Sequence, residues 1–357
     1  MEKCLVTKLN GSSDNSELLK VGEMRMKISK VESPTYVTQG FFILVSKPTT
    51  LEIIGEGYFT DSTLTENKGK TLVIDVNNNN TFWVSSNDVE IAILEKYSIN
   101  KMNILFQGAN SFGNNKSINI DDLKYSLGLT TLSLPMTQVS GDIANLKNLT
   151  GLVSLDLSST QVSGDIANLK NLTALTYLSF NNVSQVSGDI ANLKNLTGLT
   201  QLQLNNTKVS GDIANLKNLT ALTHLYIESN AQVSGDVEVF SGMKNIVYIS
   251  LKRCTLTGDL SKIPDNCKFI CFQSNINTVL SWTNRPSTAY ILALEGNAKI
   301  TDVDKMLQDQ AQCKVGYNSS SYIYEKTIAC VGNRTSASDA AVATLQSKGY
   351  TVSITPA

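Results

Sequence analysis

The sequence predicts a mainly β protein in which a small antiparallel β domain precedes a solenoid of short repeats. The stretch SGDIANLKNLT occurs four times without a change, beginning at Ser140, Ser163, Ser187 and Ser210, so the repeat period alternates between 23 and 24 residues. A unit of this length cannot bury an apolar face alone, so successive units must stack. The first hundred residues instead alternate apolar and polar residues between Asn, Gly, Ser and Pro breaks.

The N-terminal part, residues 1–100, is predicted to be an antiparallel sandwich or barrel of about seven or eight strands. Alternation of apolar and polar residues places successive side chains on opposite faces of a strand. We expect the boundary with the repeats near Ile99 to Lys101. The candidate strands are KCLVTKL, EMRMKISK, GFFILVSK, TLEIIGEG, KTLVIDV, NTFWVSS and VEIAILEKY.

Each repeat is predicted to begin with a short strand. The identical stretch is followed by the pattern L-x-x-L-x-L, as at Leu152, Leu155 and Leu157. In this strand Leu155 and Leu157 point inward, while the residues between them point outward. Strands of successive repeats pair in parallel about 4.8 Å apart, so equivalent residues form ladders along the array.

The rest of each repeat is predicted to return as a 3₁₀-like coil that closes the core. Apolar residues recur at every third position, at Ile143, Leu146, Leu149 and Leu152. This spacing suits a 3₁₀ turn better than an α-helix. Gly141 is expected to hold a backbone geometry that a β-carbon would strain, and Asp142 to cap the first free amides of the turn.

These features together resemble the leucine-rich-repeat family, in the variety whose units run LxxLxLxxNxLxGxI. One copy matches through Leu199, Leu202, Leu204, Thr207, Val209, Gly211 and Ile213. The resemblance implies a parallel concave sheet and a role as a recognition surface. Thr207 stands where the family has an asparagine that hydrogen-bonds along the stack. Asn230 and Asn297 keep that asparagine and are predicted to be the better ladder members.

Weaker copies extend the solenoid over residues 101–335. About ten strands are predicted. Their last inward residues are Phe106, Leu134, Leu157, Phe180, Leu204, Ile227, Leu251, Phe272, Leu294 and Cys330. The final residues, 336–357, are predicted to form a capping helix from Ser338 or Asp339 to Lys348, followed by a strand. This helix is expected to cover the open end of the apolar core.

The composition of the chain restricts its cellular location and the kinds of partner that it can bind. The chain has 30 basic and 31 acidic side chains, so nothing favours nucleic acid or an anionic membrane as a partner. No apolar run approaches the ~20 residues of a membrane span, and the start MEKCLVTKLNGSS lacks the apolar segment of an export signal. The six cysteines are scattered, and several fall at apolar strand positions. They are therefore predicted to be reduced core residues of a protein made in the cytoplasm without a signal peptide.

The two ends of the sequence indicate the kind of genome that encodes the protein. The opening, KCLVTKL followed by LLKVGEMRMKI, resembles N-terminal segments of structural proteins from phages of gut Bacteroidales, including crAss-like phages. The closing GNRTSASDAAVATLQSKGYTV is similar to the ends of repeat proteins from the same source. This resemblance implies a virion appendage or decoration protein, located in the virion and anchored through residues 1–100.

Two alternatives to that setting stay open. One is a bacterial cell-surface adhesin whose signal sequence lies outside this sequence. The other is a purely structural virion subunit whose solenoid packs on neighbouring subunits. Oligomeric state is open in every case, and a homo-oligomer is compatible with each.

The four identical stretches indicate where a ligand would bind, because the return segments are constant while the outward strand positions vary. Aromatic side chains at those positions offer a large contact area for little rotamer entropy and stack on sugars as well as on protein. The predicted contact residues for a host-surface protein or glycan are Tyr177, Gln201, Gln203, His224, Tyr226, Glu228, Tyr248 and Lys252. The alternative is that tyrosine is only a good strand former at these positions.

The constant face made by the return segments is the competing surface. One position is aspartate in six units, at Asp142, Asp165, Asp189, Asp212, Asp236 and Asp259. Another is lysine in four units, at Lys147, Lys170, Lys194 and Lys217. An acidic row offers calcium ligands, but it lacks the dense carboxylate spacing of a calcium loop. Capping aspartates on a solvated face are the favoured interpretation.

The sequence predicts no enzyme, no metal and no cofactor. His224 is the only histidine, and neither a Gly-x-Ser-x-Gly motif nor a phosphate-binding loop occurs. Asp156 and Glu228 are about three repeats apart, about 15 Å, which exceeds the ~10 Å limit for the carboxylates of a glycosidase. Cys254 falls at the asparagine ladder position inside the coil, where packing is the expected role.

Overall fold

The computed structural model describes residues 119–124, 126–273, 279–283, 291–295, 298–312 and 327–357, together with the strands between residues 24 and 117. The predictions for Phe106, for Asn297 and for the KCLVTKL segment lie outside these residues. The architecture is mainly β with 3₁₀ turns and short α-helices, as the sequence predicted.

The strands between residues 24 and 117 pair with one another only in antiparallel fashion. They are β1 (Met24–Ile28), β2 (Thr38–Val45), β3 (Thr49–Ile54), β4 (Tyr58–Thr60), β5 (Asn67–Gly69), β6 (Thr71–Ile74), β7 (Thr81–Ser85), β8 (Val89–Ile93), β9 (Ile99–Leu105) and β10 (Lys116–Ser117). One sheet has the order β10-β1-β8-β3-β6. A second joins β5, β4, β7, β2 and β9 in that order. This antiparallel pairing agrees with the alternating pattern of the sequence.

Strand β9 links the N-terminal strands to the repeats. One edge pairs antiparallel with β2, with Asn103 opposite Phe42. The other edge pairs parallel with β11 (Thr131–Ser133), with Lys101 opposite Thr131. The backbone hydrogen bonds of the N-terminal sheet therefore continue into the first strand of the solenoid, where the sequence placed a domain boundary.

The repeats contribute alternate strands to two parallel sheets. The strands are β12 (Ser140–Asp142), β13 (Ser154–Asp156), β14 (Gln161–Asp165), β15 (Tyr177–Ser179), β16 (Val186–Asp189), β17 (Gln201–Gln203), β18 (Lys208–Asp212), β19 (His224–Tyr226), β20 (Val233–Asp236), β21 (Tyr248–Ser250), β22 (Thr255–Asp259), β23 (Phe269–Gln273), β24 (Val279–Ser281), β25 (Ile291–Glu295), β26 (Lys299–Ile300), β27 (Thr327–Val331) and β28 (Thr351–Thr355).

We call the two sheets the first and the second sheet. The first sheet, predicted as the concave one, contains the odd-numbered strands from β9 to β27 and ends with β28. The second sheet contains the even-numbered strands from β12 to β26. The second sheet was not predicted, since its strands offer at most one buried apolar residue each.

The return segments form the predicted 3₁₀ turns. These turns are Ile120–Leu123, Ile143–Leu146, Ile166–Leu169, Ile190–Leu193, Ile213–Leu216, Val237–Gly242 and Leu260–Lys262, with a further one at Ser336–Ser338. Their apolar residues join the inward leucines of the strands in one continuous core. Leu155 and Leu157, for example, have no exposed surface, which confirms their predicted inward orientation.

The invariant glycine and aspartate of each repeat contact each other across coils, where a coil is one repeat unit. Asp142 Oδ1 accepts a hydrogen bond from the Ala144 amide at 2.8 Å, which confirms the predicted cap. Gly164 of the next coil has a φ of +123°, and a β-carbon on it would overlap Asp142 Oδ1. Gly141 likewise has a φ of +112°, as the sequence led us to expect.

Asn230 is the ladder asparagine that the sequence indicated. Its Nδ2 donates to the carbonyl oxygens of Leu204 at 2.8 Å and Glu228 at 2.9 Å, and its Oδ1 accepts from Thr207 Oγ1 at 2.9 Å. Thr137, at the equivalent position, donates only within its own coil, to Leu134 O at 2.7 Å. Asn230 therefore links two coils through a buried polar contact, as predicted.

Two short helices close the C-terminal end of the described chain. Helix α2 (Asp339–Ser347) begins after Ser338 and ends before Gly349, whose φ is +83°, and this confirms the predicted helix and the strand that follows it. Helix α1 (Val303–Ala311) was not predicted, although Asp302 caps it. Within the described residues, no helix is long and apolar enough to cross a membrane.

Polar contacts join helix α1 to the residues that precede helix α2 and to Trp282. Both oxygens of the Asp304 carboxylate accept from the Thr335 amide, at 3.0 and 3.1 Å, and one accepts from Ser338 Oγ at 2.5 Å. Partial burial opposes ionisation of Asp304, but these hydrogen bonds outweigh it and lower the pKa of the carboxyl. Nearby, the buried Trp282 donates its indole N–H to Asp309 at 2.9 Å.

Candidate functional site

The outward residues of the first sheet form the ladders that the repeat predicts. The first ladder contains Ser154, Tyr177, Gln201, His224, Tyr248 and Phe269. The second contains Asp156, Ser179, Gln203, Tyr226, Ser250 and Cys271. The positions of Asn181, Asn205, Glu228 and Lys252 follow the strands and continue the same face. All eight predicted contact residues therefore lie along one face of the first sheet.

Aromatic rings stack along the C-terminal half of this face. The ring centroids of Tyr226 and Tyr248 are 4.5 Å apart, and those of Tyr248 and Phe269 are also 4.5 Å apart. The His224 ring lies 6.3 Å from Tyr226 and 6.1 Å from Tyr248. The sequence predicts an aromatic cluster of Tyr177, His224, Tyr226 and Tyr248, and the structure brings together the last three, so the inclusion of Tyr177 is wrong. Phe269 extends it and was missed, while Gln201 separates Tyr177 from His224 in the first ladder.

Tyr248 is buried, so the expectation that it offers an open contact surface is wrong. Its side chain belongs to a small buried cluster on the outward face, together with Phe269, Cys271 and Ala293. Tyr248 is only 7% exposed because rings from both neighbouring coils stack on its faces. Tyr177, Gln201, His224 and Tyr226 are only partly buried. The accessible part of the face is thus formed by the coils that precede Tyr248.

Neighbouring side chains fix the polar residues of this face. Gln203 Oε1 accepts from Asn181 Nδ2 at 2.6 Å. Glu228 Oε1 accepts from Ser250 Oγ at 2.5 Å, and Glu228 Oε2 lies 3.8 Å from Lys252 Nζ. These side chains are already held in place, so ligand binding would cost little further side-chain conformational entropy.

A ladder of threonine hydroxyls runs along the first sheet and ends beside His224. Thr200 Oγ1 donates to Thr176 O, and Thr223 Oγ1 donates to Thr200 O, each at 2.9 Å. Thr223 Oγ1 also lies 2.9 Å from His224 Nδ1. Either the hydroxyl donates to Nδ1 or the imidazole donates its Nδ1–H to the hydroxyl, according to the tautomer of the ring. Burial lowers the pKa of His224 and so favours the neutral imidazole.

The constant face carries capping aspartates. Each carboxylate of the predicted row accepts from the amide two residues later, in the manner described for Asp142. Asp259 differs because it is buried and also accepts from Thr283 Oγ1 at 2.6 Å. Among the residues that the structure describes, no group of three or more His, Cys, Asp or Glu side chains could hold a metal ion. Helix capping therefore explains this conserved position within the array.

The described cysteines are buried thiols. Cys254 Sγ lies 3.1 Å from Ile227 O, at the ladder position that the sequence assigned to it. Burial raises the pKa of Cys254 to about 12, and the pKa of Cys330 is raised to about 12 for the same reason. Since the thiolate is the reactive form, both thiols are unreactive in the folded protein.

We expect Cys254 and Cys330 to resist alkylation until the chain unfolds. At pH 8, a thiol whose pKa is about 12 is ionised in about one molecule in ten thousand. A short iodoacetamide pulse followed by peptide mass spectrometry should leave both residues unmodified in buffer and label them fully in guanidinium chloride. Equal labelling rates in the two conditions would contradict the burial of these thiols.

No family model matches the chain, and no curated protein matches it either. Solved structures do match, and those compared are leucine-rich-repeat proteins. The PEPR1–AtPEP1 complex is 18% identical with a TM-score of 0.52, and the alignment covers 72% of this chain and 35% of that one. A leucine-rich-repeat protein of Leptospira interrogans is 16% identical with a TM-score of 0.43, covering 65% of this chain and 62% of that one.

Internalin C2 of Listeria monocytogenes is 21% identical with a TM-score of 0.36, and the alignment covers 52% of this chain and 80% of the internalin. The chain spans about a third of the length of the PEPR1 chain that it matches. The likeness to the PEPR1 chain, with the parallel sheets described above, shows that the fold is a leucine-rich-repeat solenoid.

Proposed function

We propose that this protein is a noncatalytic recognition protein that binds a host-surface protein or glycan through the first sheet. One observation carries the proposal. Tyr177, Gln201, His224 and Tyr226 vary between coils and are partly exposed, whereas the return segments of the same coils are identical. Variation of the outward strand residues beside constant return segments is expected where the strand face contacts a ligand.

The chemistry of this face suits a polar ligand with flat or cyclic groups. Tyrosine rings offer apolar area together with a hydroxyl, and Gln201 offers both a donor and an acceptor. The exposed part of the His224 imidazole offers a hydrogen-bonding ring nitrogen to the hydroxyl groups of a sugar or of a protein side chain. The backbone hydrogen bonds of the sheet fix the spacing of these groups at the coil repeat.

The same contacts argue against catalysis on this face. Asp156 Oδ1 accepts from Ser158 Oγ at 2.7 Å. Glu228, three coils further along, accepts from Ser250 Oγ of the next coil at 2.5 Å. The two carboxylates thus have separate partners, and no acid–base pair is assembled from them.

The biological setting that we propose is a phage virion, in which residues 1–100 anchor the protein and the solenoid is presented outward. The resemblance of both termini to phage structural proteins supports this setting. A bacterial adhesin and a structural virion subunit packed on its neighbours are the alternatives. Mass spectrometry of purified virions should detect the protein in stoichiometric amounts. Its detection in bacterial envelopes of uninfected cells would instead favour the adhesin.

Binding should be lost when the aromatic contacts are removed. We expect the Tyr177→Ser/Tyr226→Ser variant of the full-length protein to bind Bacteroidales cells at least roughly tenfold more weakly, because buried aromatic contacts dominate interface energies. Flow cytometry of labelled protein over a concentration series measures this change. Circular dichroism and melting curves establish that the variant is folded.

A matched double variant tests the constant face. Lys170→Ser/Lys194→Ser removes two exposed lysines from the return segments of nearby coils. We expect this variant to bind as the native protein does. Native-like binding by the tyrosine variant would refute the proposed surface, and weakened binding by the lysine variant alone would assign recognition to the constant face.

A further inference from the structure

Strand β28 leaves one edge of the first sheet open. It pairs in parallel with β27 over five residues, from Thr351 opposite Thr327 to Thr355 opposite Val331. In the part of the chain that the structure describes, no strand pairs with its other edge. An open edge presents a row of unpaired N–H and C=O groups, and it is a template for pairing with another strand.

The composition of β28 does not protect this edge. Its sequence, TVSIT, has no charged residue, no proline and no glycine. Val352 and Ile354 pack partly against the core, whereas Thr351, Ser353 and Thr355 are exposed. Natural edge strands are usually blunted by charges, prolines or bulges. An uncharged strand of residues that favour β structure is expected where the edge is paired in the working protein.

The surface beside β28 is also poor in free charge. A shallow groove next to the strand is lined by Gly332, Asn333, Arg334, Val342, Val352, Ile354 and Pro356. The Arg334 guanidinium forms an ion pair with Asp339. The charge of Arg334 is thus compensated, and an approaching strand meets little like-charge repulsion.

The topology favours a second copy paired about a two-fold axis. Head-to-tail stacking of solenoids would join β28 to the opposite end of the parallel strands. That end is β9, whose outer edge is already paired with β2. An isologous contact avoids this obstacle, because it uses the same edge on both copies.

The residues of β28 are complementary to themselves in an antiparallel pair. With the two-fold axis at Ser353, Thr351 of one copy faces Thr355 of the other, and Val352 faces Ile354. Hydroxyl residues then meet on the outward side, and β-branched apolar residues meet on the inward side. Cross-strand pairs of these two kinds stabilise sheets.

We propose that the protein forms a two-fold symmetric dimer by antiparallel pairing of the β28 edges of two copies. The first sheets of both copies then form one continuous sheet. Pairing over five residues buries less area than a standard stable interface, so the dimer is weak and forms at micromolar concentrations. Two recognition faces in one assembly bind a repetitive surface with avidity.

Sedimentation equilibrium of the full chain between about 1 and 200 µM tests the proposal. The native protein should show a concentration-dependent dimer. Ser353→Lys and Ser353→Glu should each dissociate roughly tenfold more readily, because like charges then face each other across the axis. An equimolar mixture of the two variants should regain the native association, since opposite charges meet.

Gln185→Lys is the matched control, because this exposed position is occupied by Lys208 in the next coil. It adds the same charge far from β28 and should leave the association unchanged. A native protein that stays monomeric at the highest concentration would overturn the proposal. So would a dimer whose dissociation constant is the same for native protein and Ser353→Lys, or a mixture of the charge variants that stays monomeric.

Discussion

The Gly211→Ala variant is expected to lose roughly 2–4 kcal/mol of stability, although only one methyl group is added. Gly211 has a φ of +112°, a conformation that L side chains rarely adopt, and the new β-carbon would overlap Asp189 Oδ1. Asp189 accepts from the Ala191 amide at 2.8 Å. The substitution therefore strains the backbone and also displaces the cap of the neighbouring coil.

Gly198→Ala is the matched control, because the equivalent position carries alanine at Ala174 and Ala221. A β-carbon on Gly198 would lie 3.4 Å from Leu175 O, an ordinary contact. We expect a change within about 0.5 kcal/mol, or a small gain from the reduced freedom of the unfolded chain. Urea unfolding followed by circular dichroism compares the two variants. Equal midpoints would show that the contact between coils is unimportant.

The Phe180→Ala variant is expected to destabilise the solenoid by about 3–5 kcal/mol. Phe180 is one of the largest fully buried side chains and directly follows β15. Its truncation leaves a cavity in a core that neighbouring coils share. Because each coil contacts only its neighbours, the loss should concentrate in the coils beside Phe180.

Phe180→Leu separates cavity formation from the loss of an aromatic ring. Leu157 and Leu204 occupy the same place in the adjacent coils and have no exposed surface. We expect this variant to lose less than about 1.5 kcal/mol, because the leucine fills most of the space. Hydrogen exchange read by mass spectrometry should show faster exchange around Phe180 in the alanine variant alone. Indistinguishable exchange in the two variants would contradict this account.

The first sheet, the 3₁₀ turns and the caps were predictable because four copies are identical and the template is therefore unambiguous. Ladder order followed directly, since strand register equals the repeat period. The second sheet was missed because strands such as Gln161–Asp165 bury one valine among polar residues. That pattern indicates coil as readily as strand.

The burial of Tyr248 was not predictable in the same way. Its exposure depends on the rings of Tyr226 and Phe269, which lie in different coils. Phe269 belongs to a degenerate copy whose register the exact repeats do not fix. The orientation of a side chain follows from the alternation of residues along its own strand. Its exposure depends on the side chains of neighbouring coils that pack against it.

The contact between the aspartate of one coil and the glycine of the next is repeated along the array, so the central coils have interchangeable interfaces. Removal or duplication of one unit of 23 or 24 residues would recreate the same junction on both sides. Recombination between gene segments that encode such identical repeats can shorten or lengthen the protein. The new junction between coils then needs no further adaptation. The reach of the protein can therefore evolve in discrete steps while its ends stay unchanged.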